Sequence, residues 1–262
     1  MAAWLVVLAA ILMPGVAAAQ TEIPLVISGY DLPFVTVTIN GHQTKALVDT
    51  GSFHGIEVSR RLADALGLVT EDAADSTARR YQGDAVKFRA AKVAFALGEV
   101  KIPAASAEVA HGDIENISRQ VGTDFDVILG WGFLSQRPLT LDYGKGVLRF
   151  ATVGDGGLEL SYTDAKRTPV VSGMLDGQPI ALLVDTGAPM SNLDPTLAGA
   201  APGERLVKAV ALGANTLQVG FRVKDLTVII RALGCGAVLG NNLWHRGVVS
   251  FDPARHRVVF QT

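Results

Sequence analysis

Two carboxyl groups in matching surroundings are the residues of this sequence best suited to chemistry. Asp49 lies in Lys45-Ala46-Leu47-Val48-Asp49-Thr50-Gly51-Ser52, and Asp185 in Ala181-Leu182-Leu183-Val184-Asp185-Thr186-Gly187-Ala188. Each acid ends an apolar run of strand character and enters a turn that contains glycine. A carboxylate there is costly to bury unless it is paired or hydrogen-bonded. Two of them in one context suggest a pair built to meet. Carboxyls about 3 Å apart share a proton because both cannot easily ionise. One then acts as base on a water held between them, and the other as acid on the carbonyl oxygen or leaving nitrogen of an amide. That chemistry calls for no metal, no cofactor and no covalent intermediate. Gly51 and Gly187 let backbone N–H groups approach the acids. Thr50 and Thr186 are placed to hydrogen-bond across the interface. Ser52 is expected to donate to the outer oxygen of Asp49, whereas Ala188 has no hydroxyl to offer Asp185.

The elements that must position these acids are themselves repeated. Phe34 to Ile39 alternates as a strand does, and Asn40-Gly41 follows, a two-residue hairpin signal. The return strand ends at Asp49. In the second half, Val170 to Leu175 leads to Asp176-Gly177, and the return strand ends at Asp185. Turn and acid share one offset (177 − 41 and 185 − 49, 136 in both cases). A second block repeats at its own offset. Val127-Ile128-Leu129-Gly130 matches Ala237-Val238-Leu239-Gly240, and Leu141-Asp142-Tyr143 matches Phe251-Asp252-Pro253 (240 − 130 and 252 − 142, 110 in both cases). Repetition at this scale is a duplicated domain, not a short-period solenoid. Two unrelated turn residues capping local N–H groups would leave the repeat around them unexplained.

The first half is longer by the difference of these offsets, 26 residues (136 − 110), which fall between its acid and its Leu-Gly. Ser59 to Leu66 reads as a short helix, with Ser59 as its cap and Gly67 as its stop. A polar hairpin-like stretch runs from Ala78 to Phe88, and Val93–Leu97 and Val100–Ile102 flank Gly98-Glu99. Gly154 to Gly157 is the best candidate for a link between halves. Asp142 and Asp252 sit in tight turns and read as structural. The five histidines have no ligand spacing, and His54 reads as a solvated loop residue. The Gly-rich run Gly234 to Gly240 lacks dinucleotide-loop spacing. Trp131 and Trp244, next to the Leu-Gly blocks, read as core or interface residues.

Composition narrows the class. The 262 residues are 49% hydrophobic and 18% charged, with 28 glycines and 11 prolines. That supports a real core and many turns, and argues against disorder. A net charge of −2 gives no electrostatic case for nucleic acid or an anionic membrane. The single cysteine, Cys235, permits no intramolecular disulfide and makes no cysteine-based metal site. Residues 1–19 are compositionally separate. The apolar run Trp4 to Met13 and Ala17-Ala18-Ala19 before Gln20 read as a signal peptide cleaved after Ala19, with an uncleaved anchor as the alternative. The mature chain is expected in a bacterial periplasm or outside the cell, with no integral membrane span after cleavage.

The paired Val-Asp-Thr-Gly motifs, each followed by an apolar Leu-Gly block, resemble the aspartic proteases. The compact halves and the Leu141-Asp142-Tyr143 turn are most similar to the retropepsin-like branch, here as a fused tandem. The resemblance implies an all-β fold of two related barrel-like lobes, with a few short helices and a cleft between the lobes. It implies a catalytic dyad of Asp49 and Asp185, supported by Thr50, Gly51, Ser52, Thr186 and Gly187, with Gly130 and Gly240 beneath the active-site loops. It implies peptide or unfolded protein bound as an extended strand, and a monomer, since one chain supplies both lobes. It also implies a hairpin flap from the first lobe alone, with Tyr81 at its tip. The expected layout is a leader at 1–19, an N-terminal lobe at 20–153, a linker at 154–168 and a C-terminal lobe at 169–262. The rival reading is a catalytically silent peptide-binding or sensing module on the same fold. Pro189, which has no N–H to give the second loop, is the local feature that favours it.

Overall fold

The structure is a computed structural model, and it describes residues 22–79, 85–110, 113–165, 167–199, 208–212, 217–219, 222–223, 226–231 and 236–262. The leader, Tyr81, His111 and Cys235 lie outside the described residues. Among the described residues no helix is long and apolar enough to cross a membrane.

The chain is all-β with short helices. In order, the first half forms β1 (Glu22–Pro24), β2 (Val26–Ile27), β3 (Pro33–Ile39), β4 (His42–Asp49), β5 (Ile56–Val58), α1 (Arg60–Ala65), β6 (Thr70–Arg79), β7 (Ala85–Leu97), β8 (Val100–Ala110), α2 (Asp113–Val121), β9 (Val127–Gly130), α3 (Trp131–Leu134), β10 (Leu139–Asp142) and β11 (Val147–Arg149). The β3–β4 hairpin turns at Asn40 and Gly41, with φ of 47° and 84°, the left-handed values its two-residue turn needs. Ser59 caps α1 by accepting from Leu62 N at 3.0 Å, and Gly67 leaves it at φ 59°. Helix α2 was not foreseen. Its Ile114 joins Leu32, Phe34, Leu47, Phe125 and Ile128 in a cluster on the outside of the sheet.

Six of these strands close on themselves in the order β3–β4–β9–β5–β8–β7 and back to β3. The last pairing, Thr38 with Ala96 and Ile39 with Phe95, completes the barrel. Period-two alternation sends Val35, Val37 and Ile39 of β3, and Ala46 and Val48 of β4, into the shared core. Strand β6 extends β7 outside the barrel as a hairpin. This hairpin falls in the 26-residue excess of the first half.

The second half forms β12 (Leu158–Ala165), β13 (Thr168–Leu175), β14 (Gln178–Val184), β15 (Ser191–Leu193), β16 (Lys208–Leu212), β17 (Leu217–Gln218), β18 (Arg222–Val223), β19 (Leu226–Ile230), β20 (Ala237–Leu239), α4 (Asn241–Trp244), β21 (Val248–Asp252) and β22 (Arg257–Gln261). Its order β13–β14–β20–β15–β19–β16 repeats that of the first barrel. Met174 pairs with Gln218 where Thr38 pairs with Ala96. Asp176 and Gly177 turn its hairpin with φ of 50° and 78°. Among the described residues it has no counterpart of β6.

A shared sheet, β1–β11–β10–β21–β22–β12, joins the halves. At its centre β10 and β21 run antiparallel and Thr140 faces Ser250, its repeat at offset 110, so the pseudo-twofold axis passes between them. Their hydroxyls lie 2.9 Å apart. The stretch 154–168, read as a linker, is mostly β12, which bridges β22 and β13. Leu160 and Tyr162 turn inward and bury, and this alternation outweighs the neighbouring glycines. Asp142 and Asp252 are buried turn residues: Asp142 accepts from Lys145 N and lies 3.6 Å from Arg149, and Asp252 accepts from Arg255 N and lies 3.2 Å from Arg257.

Candidate active site

Strands β4 and β14 deliver the two acids to one place. Each runs parallel to the strand that ends in Leu-Gly, with Asp49 paired to Gly130 and Val184 to Leu239. Glycine is required there by space. A Cβ on Gly130 would overlap the His54 carbonyl, and one on Gly240 would lie 2.5 Å from the Met190 carbonyl carbon. The Leu-Gly blocks therefore form a floor on which both acid-bearing loops rest.

The loops lock to each other through their threonines. Thr50 Oγ1 donates to the Val184 carbonyl at 2.7 Å, and Thr186 Oγ1 donates to the Val48 carbonyl at 2.7 Å. Each hydroxyl also accepts the other threonine's N–H at 3.1 Å. Both threonines are fully buried, so these bonds operate away from competing water.

Each carboxyl is held from its own loop. Gly51 N and Ser52 N donate to Asp49 Oδ1 at 2.8 and 3.0 Å, and Gly187 N and Ala188 N donate to Asp185 Oδ1 at 2.8 and 2.9 Å. The other loop's glycine makes room. A Cβ on Gly51 would overlap the Asp185 carboxyl, and one on Gly187 the Asp49 carboxyl. The two acids are hydrogen-bonded to each other. Burial raises both, and the charge of Asp49 raises Asp185 further, well above the usual carboxylate range. The N–H donors pull the other way but do not reverse this. Two such coupled carboxyls can share one proton and so offer an acid and a base at one pH. Pro189 removes no donor that Asp185 uses, and its carbonyl accepts from Asn242 N at 3.2 Å.

Ser52 differs from expectation. Its N–H holds Asp49, but its hydroxyl donates to Glu57 Oε1 at 2.6 Å. Glu57 projects from β5 on the face away from the barrel core and is buried, so its carboxyl demands a donor, and Ser52 is within reach. His54 is buried too, not solvated. Its Nδ1 contacts Glu108, and its ring lies against Phe53. Glu57 and Glu108 were missed in the sequence. The available signal was a lone acid within Ile56-Glu57-Val58, where an apolar side chain would be expected. Behind Asp185, buried Tyr143 donates to Asn241 Oδ1 at 2.5 Å, and Asn241 Nδ2 bonds the Thr186 carbonyl. Burial, then the charge of Asp185, raise the Tyr143 phenol. Trp131 and Trp244 are core residues, with indole N–H groups bonded to Asp164 and to the Leu239 carbonyl. Among the described residues no group of three or more His, Cys, Asp or Glu is arranged to hold a metal.

Residues 35–136 match the family described as "gag-polyprotein putative aspartyl protease". The match includes the first Asp-Thr-Gly and the first Leu-Gly and stops before the repeat. No curated protein matches the chain. Over residues 35–136 the chain is therefore similar to the retropepsin-like aspartyl proteases.

Proposed function

We propose that the protein is an aspartic endopeptidase that hydrolyses peptide bonds with a water activated between Asp49 and Asp185. The observation that carries this reading is the contact between the two carboxyls, each raised by burial and each fixed by two N–H donors of its own loop. Such a pair meets the needs of amide hydrolysis. The ionised partner takes a proton from the water, and the protonated one gives a proton to the substrate carbonyl oxygen. The proton taken from water then passes to the leaving nitrogen. Thr50 and Thr186 keep the carboxyls from drifting apart, which preserves the geometry both steps share.

The substrate in this reading is a peptide or unfolded protein segment in extended form, bound along strand backbone beside the dyad. The β6–β7 hairpin supports a flap from the first lobe, and among the described residues the second lobe has no counterpart of β6. One chain supplies both acids, so the site needs no second copy. The leader motif supports export to the periplasm or beyond. A silent binding module on this fold would keep the cleft without needing both acids, and the presence of both favours the enzyme.

The test is digestion of an unfolded protein between pH 3 and 8 by wild type, Asp49→Asn and Asp185→Asn. Cleavage lost in both variants, with folding intact by circular dichroism, is the expected result. Cleavage that survives either substitution would overturn the reading.

A further inference from the structure

The two acids stand in unlike surroundings. Behind Asp49 lie Ser52, His54, Glu57 and Glu108. The Ser52 hydroxyl accepts the His54 N–H at 3.3 Å and donates to Glu57 at 2.6 Å. Glu57 faces Glu108 across the β5–β8 pairing, and Glu108 contacts His54. The register gives the counterparts behind Asp185. Glu57 pairs with Ile128 and Glu108, and Asn192 pairs with Val238 and Ile229. Ala188 and Met190 stand where Ser52 and His54 do at offset 136. Ala, Met, Asn and Ile thus replace Ser, His, Glu and Glu, so the second loop has no ionisable group at any of the four places.

We propose that Glu57 is a positioning residue of the dyad: braced on Ser52, it sets a negative charge behind Asp49 alone and extends the pH range over which the two acids share a proton. This rests on the dyad reading of the site. Glu57 is 7% exposed, so water screens its charge little. Ser52 is its bridge to Asp49, because the same residue's N–H holds Asp49 Oδ1 at 3.0 Å. The groups that face Glu57 are Asp49, Ser52 and His54 from the loop and Glu108 from β8, while its β9 partner Ile128 carries no charge. Burial, offset in part by His54 and Ser52, places Glu57 at about 7. Near neutrality it ionises, and its charge opposes ionisation of the dyad. His54 and the Ser52 hydroxyl limit the repulsion and keep the carboxylate in place.

The test is a carbon-13 carboxyl titration of the aspartate-labelled full chain, with Asp49 and Asp185 assigned through their Asn variants, beside the pH profile of kcat/KM. In Glu57→Gln, which keeps an acceptor for Ser52 but loses the charge, the upper titration of the dyad should move about one pH unit toward acid. The alkaline limb of kcat/KM should move with it. Glu57→Asp, which restores the charge, should return both toward wild type. A dyad titration that coincides in wild type and folded Glu57→Gln overturns the proposal. So does one that moves equally in Glu57→Gln and Glu57→Asp, because that is packing and not charge. The carboxyl titration needs no turnover. A shift without any cleavage by wild type would uphold the role of Glu57 and count against the peptidase reading alone.

Discussion

Thr50 and Thr186 exchange hydrogen bonds in a closed set. Each hydroxyl takes the other's N–H and gives its own proton to the carbonyl of the residue before the other's aspartate. The set ties the position of each acid to the opposite lobe. The lobes cannot separate there without breaking four buried hydrogen bonds, and the carboxyl contact depends on the same bonds.

Replacing Thr186 with Val should therefore destabilise the fold and not only the site. It leaves the Thr50 N–H and the Val48 carbonyl buried without partners, at a cost of roughly 2–4 kcal/mol. Urea unfolding measures this, and Thr186→Ser, which keeps the hydroxyl, should recover most of it. A Val variant as stable as wild type would remove the threonines from the account of lobe packing.

Gly51→Ala should act on the dyad more than on the lobes. Its Cβ would overlap the Asp185 carboxyl, which must move to make room. A displacement near 1 Å at reacting groups costs on the order of 10²-fold in rate. Loss of kcat with little change in KM is the expected pattern in peptide cleavage, and unaltered kcat would show that the carboxyls tolerate displacement.

Stability should fall as pH rises from about 4.5 through 7, the reverse of the behaviour given by salt-bridged carboxylates. Glu57 is raised from 4.5 to about 7, and Asp49 and Asp185 are raised as well. Over that window the folded chain holds protons that the unfolded chain has released, so the unfolding free energy decreases with pH. Glu57→Gln should remove a part on the order of 3 kcal/mol. Urea midpoints of both proteins at pH 4.5 and 7.5 test this, and parallel midpoints would contradict it.

Asn241→Ala should loosen the back of the second loop. It strips partners from the Tyr143 hydroxyl and the Thr186 carbonyl, both buried, and should cost roughly 1–3 kcal/mol. Tyr143→Phe on the Asn241→Ala background should then cost little more, because the hydroxyl has already lost its partner. Additive losses in this double-mutant cycle would break the proposed chain from Tyr143 to the loop.

The sequence alone determined the duplication, the hairpins at Asn40-Gly41 and Asp176-Gly177, the Ser59 cap and the equivalence of Asp49 with Asp185. These are local features. Strand alternation, left-handed turns and caps are set by residues within a few positions of each other, and a repeat displays them twice at a fixed offset. Tertiary structure decided the rest. Residues 158–165 became β12 because Leu160 and Tyr162 found buried places between β22 and β13. Helix α2 settled on a cluster whose other members come from β3, β4 and β9 and from Leu32 and Phe125. The Ser52 hydroxyl turned from Asp49 to Glu57, and His54 was buried against Glu108, because β5 and β8 lie side by side. A hydroxyl or carboxyl commits to whichever partner the folded chain brings within about 3 Å, and that partner can stand fifty residues away in sequence. The identity of the acids is thus written locally, while the groups that set their protonation are chosen by strand pairing.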